Sequence, residues 1–115
     1  MLPEDQIQEL KTVCGEISSC SEGGIEYVLI PKLKMPEGCT PIEMDALLCP
    51  APRGDGYQSR LFFASKVETS RQLSKPLNWN GNVRVLERNW YAYSYKVDPS
   101  LTLKQMVAAH LGAFK

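Results

Sequence analysis

Apolar residues recur along this chain with two different periods, and the switch between them predicts the order of elements. Over residues 3–17, Ile7, Leu10, Cys14 and Ile17 fall on one side at helical spacing. Pro3 suits a first-turn position, and Glu4 and Asp5 suit the positive start of a helix, so a helix is expected over 3–17. Residues 18–24, SSCSEGG, read as a loop by composition. From Ile25 to Ile30 the spacing tightens towards alternation and predicts a strand, with Pro31 marking an edge position or a bend. Residues 34–41, KMPEGCTP, read as a turn, and Ile42 to Cys49 as a second strand. The loop CPAPRGDGY at 49–57 breaks the pattern before a third strand from Leu61 to Val67.

Residues 68–82 are polar and carry Pro76 and an Asn80-Gly81 turn signature, although the segment is long for a simple hairpin. Beyond it, Val83 and Val85 share a parity with Tyr91, Tyr93, Tyr95 and Val97. They predict one strand interrupted near Arg88-Asn89, or a short strand and then a longer one. Thr102 with Gln105 three residues on is a capping box, and Leu101 with Met106 can make the hydrophobic staple. Leu103, Met106, Val107, His110, Leu111 and Phe114 then keep helical spacing. The expected fold class is α+β, with an N-terminal helix, a three- to four-stranded antiparallel meander sheet and a C-terminal helix on one face.

A length of 115 residues suits one domain, expected here over 1–115. Leu, Ile, Val and Phe together number 28, enough to exclude wholesale disorder. No apolar run approaches the ~20 residues of a membrane-spanning helix. The start MLPEDQIQEL carries acids and no basic leader region, so the expected location is the cytoplasm. Net charge is zero, yet residues 1–57 hold 4 basic and 10 acidic side chains, and residues 58–115 hold 9 and 3. In one small domain the two halves are expected to interleave as solvated surface. The alternative is a basic face suited to an acidic protein partner.

The four cysteines, Cys14, Cys20, Cys39 and Cys49, lack the close pair spacing that chelates zinc, and His110 is the only histidine. Reduced thiols are expected, with no metal and no cofactor. Cys49 ends an apolar strand; it reads either as a small buried hydrophobe or as a nucleophile assisted by Arg53. Cys39, in a turn, has no base predicted beside it. His110 reads as a partly buried, hydrogen-bonded histidine against the alternative of a general base.

The motifs Leu2-Pro3, Tyr27-Val28-Leu29-Ile30-Pro31, Met35-Pro36-Glu37-Gly38 and Asp45-Ala46-Leu47-Leu48-Cys49-Pro50 come in that order, followed by Trp90 and the 101–111 helix. Over nearly the whole chain this order resembles the ubiquitin-conjugating (UBC) superfamily, most closely its small bacterial branch. The resemblance implies a UBC/RWD-like fold and a place in a bacterial ubiquitin-like protein modification system. In that family a cysteine beyond the sheet takes the carboxyl terminus of a ubiquitin-like protein from an activating enzyme, and an Asn amide steadies the oxyanion. Laid on the family pattern, PLNWNGNVRVLERNW at 76–90 matches at Gly81 and Val83 and puts Arg84 in the place of the nucleophile. No cysteine follows Cys49, and a guanidinium cannot form a thioester.

The resemblance therefore implies a noncatalytic UBC-like binding partner, as ubiquitin-enzyme-variant and RWD-type relatives are. Its implied partners are a ubiquitin-like protein, the activating enzyme and a deconjugating peptidase of the same system. The expected partner-binding residues are Trp79, Arg84, Arg88 and Trp90. Trp79 lies in a polar loop and either plugs the sheet edge or anchors a partner, since Trp and Arg dominate interface hot spots. Two other readings remain open. One is an active conjugating enzyme with its nucleophile relocated to Cys49. The other is an unrelated binding module, in which the aromatics with Lys75, Arg84, Arg88 and Lys96 stack nucleic-acid bases; zero net charge argues against that one.

Overall fold

Helix α1 (Glu4–Cys14) begins behind Pro3 with Glu4 and Asp5 in its first turn, as the sequence suggests. It stops three residues earlier than expected. Gly15 takes φ 75, and its amide donates to the Lys11 carbonyl at 2.9 Å. The next segment, read as a loop, is instead strand β1 (Ser18–Glu22), paired with β2 (Ile25–Lys34) from Ser18↔Leu29 to Glu22↔Ile25. Gly23 and Gly24, at φ 60 and 80, supply the two left-handed residues of a tight hairpin turn. Turn chemistry builds this strand, so its polar composition concealed it.

The remaining elements are β3 (Cys39–Thr40), β4 (Glu43–Cys49), β5 (Arg60–Phe63), β6 (Glu68–Thr69), β7 (Trp79–Val85), β8 (Arg88–Tyr93) and α2 (Leu103–Leu111). The structure, a computed structural model, describes residues 3–40, 42–52, 58–69, 79–93, 97 and 100–112. Six antiparallel strands form one sheet in the order β1-β2-β4-β5-β8-β7, and β3 pairs with β6 in a small second sheet. The fold is thus mostly β, a curled half-barrel with two helices. This overturns the expected UBC/RWD-like arrangement of a three- to four-stranded meander with a C-terminal helix on one face.

Of the two readings of the segment from Val83 onwards, the one with two strands holds, with the break two residues earlier than Arg88-Asn89: β7 and β8 form a hairpin turning at Leu86 and Glu87, both in the left-handed region at φ 55 and 61. Asn80-Gly81, expected at a turn, lies inside β7, where the register slips between Trp79 and Asn82. Of the edge or bend expected at Pro31, the bend is what forms, since β2 lies between β1 and β4. The β2–β4 register slips just there, between Ile30 and Leu33, with Lys32 at φ 53 and its amide donating to Asp45 Oδ1 at 3.1 Å.

Two apolar clusters fill the molecule. In one, Leu10 of α1 and Leu103, Met106 and Val107 of α2 meet Val28, Ile30, Ala46, Leu48, Leu61, Phe63 and Tyr93 of the sheet. The other, on the opposite face, gathers Tyr27, Leu47, Cys49, Phe62, Val85, Trp90 and Ala92. Glu22 shares that face with Cys20, and its Oε1 accepts the Leu86 amide at 3.1 Å, joining β1 to the β7–β8 turn. The sheet therefore curls towards the Trp90 side. α2 carries the expected capping box: Gln105 N donates to Thr102 Oγ1 at 3.3 Å, and Thr102 N to Gln105 Oε1 at 3.0 Å. Leu103 N also donates to Gln6 Oε1 at 3.2 Å, so the two helices start side by side.

Candidate functional site

None of the four cysteines is in a disulfide. Cys39 and Cys49 are buried, and the Cys49 Sγ–H donates to the Ala51 carbonyl at 3.2 Å. Cys14 and Cys20 are half-buried. Burial pushes the Cys14 thiol above its ordinary pKa; at Cys20 burial does the same, helped by the Glu22 carboxylate. A thiol activated for acyl transfer needs the opposite shift and an approach path. Arg53, the expected helper of Cys49, falls outside the described residues, as do Lys75 and Lys96.

His110 is 1% exposed. Its Nε2 and Ser59 Oγ lie 3.0 Å apart, and the Tyr93 hydroxyl donates to its carbonyl at 2.8 Å. Burial, and secondarily the Arg60 guanidinium, lower its pKa to about 4. Arg60 is itself buried, with Nη2 donating to the Tyr93 carbonyl at 2.7 Å. The imidazole is therefore neutral at ordinary pH, held beside Ser59 just ahead of β5 and edge-on to the Tyr93 ring of β8. Among the described residues no three His, Cys, Asp or Glu side chains gather to hold a metal ion.

The residues expected to bind a partner all lie on the β7–β8 hairpin, but they do not form one patch. Register puts Val83 opposite Trp90 and Val85 opposite Arg88 on the curled-in face, with Arg84 opposite Asn89 on the other. Trp90 is fully buried, its indole N–H donating to the Val85 carbonyl at 3.0 Å. The Arg88 guanidinium covers it, 4.5 Å from the ring centroid, and pairs with Asp45 Oδ2 at 3.1 Å. Trp79 is half-buried at the sheet edge, edge-on to Phe63 and Tyr93 at 6.2 and 5.5 Å. It plugs the core cluster there. Arg84 is exposed, with Nη1 donating to Asn89 Oδ1 at 3.3 Å. Tyr91, on the Arg84 side, carries Lys66 at 6.0 Å from its ring.

β1, β2 and β4 come from the acidic half of the chain, and β5, β8 and β7 from the basic half. The halves still meet as expected, through the Arg88–Asp45 ion pair and the Glu22–Leu86 hydrogen bond. Among the described residues β7 has a strand on one side only, so the basic end also presents backbone groups along an edge.

A second feature had no signal in the sequence, because it needs residues from three distant segments. Between α1, α2 and the bulged end of β2 lies a groove of about 330 Å³, lined by Leu10, Val13, Leu33, Val107 and Leu111 and bordered by lysines. No helix among the described residues is long and apolar enough to cross a membrane. No protein-family model, curated protein or solved structure matches this chain.

Proposed function

We propose that this chain is a noncatalytic binding module that docks an acidic protein surface through the outer side of the β7–β8 hairpin. The observation that carries this reading is the sheet order, which sets β5, β8 and β7 at one end, with Arg84 exposed on β7 and, among the described residues, a strand on one side of β7 only. Arg84, Asn89, Tyr91 and Lys66 supply that side with cations, amides and one aromatic face. Arg88 and Trp90 act from beneath, as a stack that stiffens the hairpin. The partner class comes from the UBC-like motifs: a ubiquitin-like protein or its activating enzyme. Enclosure of Cys49 supports docking over acyl transfer.

The test mixes the chain with the cognate ubiquitin-like protein and activating enzyme. Calorimetry should find saturable binding that weakens as salt rises. Arg84→Glu should cost about 1 kcal/mol, roughly fivefold in Kd. With ATP added, the band of this chain should run at the same place with and without reductant. A reductant-sensitive adduct that disappears in Cys49→Ser would overturn the noncatalytic reading.

A further inference from the structure

The groove between the helices combines an apolar floor with three lysines that pair with no acid among the described residues. Leu10, Leu33 and Val107 form its buried bottom, and Val13 stands on its wall with 60% of its surface exposed. Lys32 and Lys34 rise from the bulged end of β2 and Lys104 from the first turn of α2. Glu43 lies opposite Lys34 in the β2–β4 register, yet none of the three ammonium groups is ion-paired with a described residue. Three cations with no ion-pair partner among the described residues thus ring a trough whose exposed wall is apolar at Val13. A ligand with an anionic head and an apolar tail matches both.

We propose that this groove binds a free single-chain anionic amphiphile, of the medium-chain fatty acid class. Its volume of about 330 Å³ has room for on the order of ten methylenes, at roughly a water's ~30 Å³ each. The floor residues Leu10, Leu33 and Val107 are buried, so a chain has to leave a bilayer to reach them; that favours the free amphiphile over a membrane surface. Protein interfaces are depleted in lysine, which disfavours a peptide occupant. The site is separate from the β7–β8 hairpin and stands or falls independently of the docking proposed there.

Cys14 lines the groove, whereas Cys20 is on β1 with its Sγ–H donating to the Tyr27 carbonyl at 3.7 Å. Both thiols are half-buried, so Cys20 serves as an internal control. The experiment alkylates the full chain and follows each cysteine by mass spectrometry, with laurate present below its micellar concentration. Alkylation of Cys14 should slow more than fivefold while Cys20 is unaffected. Across octanoate, decanoate and laurate, affinity should rise roughly ten- to fifteenfold for each two methylenes. Val13→Glu should abolish protection with an unchanged circular dichroism spectrum, and Lys104→Glu should weaken it several-fold. Equal protection by dodecyltrimethylammonium, equal slowing of Cys20, or an unaltered Cys14 rate would overturn the proposal. So would protection by an acidic amphipathic peptide where laurate gives none.

Discussion

His110 shows how a single residue links burial to pH. Its pKa is about 4 in the folded chain against an ordinary value of 6.5, because the charged ring would have to sit, desolvated, beside Arg60. The unfolded chain therefore takes up the proton first as pH falls. The contribution to stability is complete above about pH 6.5 and is lost progressively on acidification towards pH 4. Between pH 7 and pH 5 the loss attributable to this group should be about 2 kcal/mol. Urea unfolding of the protein and of His110→Gln at both pH values isolates it, since the variant should lack that slope. If the variant does not fold, the imidazole resonances answer instead: they should show no protonation step above pH 5. The sequence placed His110 on the apolar side of the last helix, and the structure keeps it there, hydrogen-bonded. Its partner Ser59, 51 residues away, carried no signal of its own.

At the level of elements, legibility followed local chemistry. α2 was readable because its capping box, staple and helical spacing are all encoded within a few residues. β4 was readable by alternation. β1 and the β7–β8 turn were not, since strand formation there depends on pairing partners and on φ values rather than on apolar content. Leu86 and Glu87 are poor residues for a turn that needs two left-handed backbones; Asn, Asp or Gly is the usual choice. Leu86 earns its place by packing against the Trp90 cluster and donating its amide to Glu22. Glu87 is exposed, and no hydrogen bond or ion pair ties it down among the described residues. Glu87→Asn should therefore raise stability by about 0.5–1 kcal/mol, read as a higher urea midpoint at unchanged slope. A lower midpoint would mean that the glutamate stem contributes something beyond its backbone conformation.

For the molecule as a whole, the curl decides which residues can function. It buries Trp90, which the sequence alone offered as a contact residue, and it leaves Arg84 on the opposite face from Arg88. No pattern of spacing predicts this, because parity along a chain reverses at every two-residue turn. Trp90, Phe62, Leu47 and Cys49 are each enclosed on a face that neither helix reaches. Among the described residues, what holds the curl on that face comes from the sheet itself. Apolar contact inside it is one contribution; the other is the hydrogen bond by which Glu22, at the end of β1, accepts the Leu86 amide. Removing the carboxylate in Glu22→Ala should cost about 1 kcal/mol and speed hydrogen exchange at the Leu86 amide. Glu22→Gln keeps an oxygen acceptor and should restore slow exchange. Amides of α1 and α2, which belong to the other cluster, should exchange as before in both variants. If Leu86 exchanges at the same rate in Glu22→Ala, the apolar interior alone closes the half-barrel, and the polar tie across its ends is incidental.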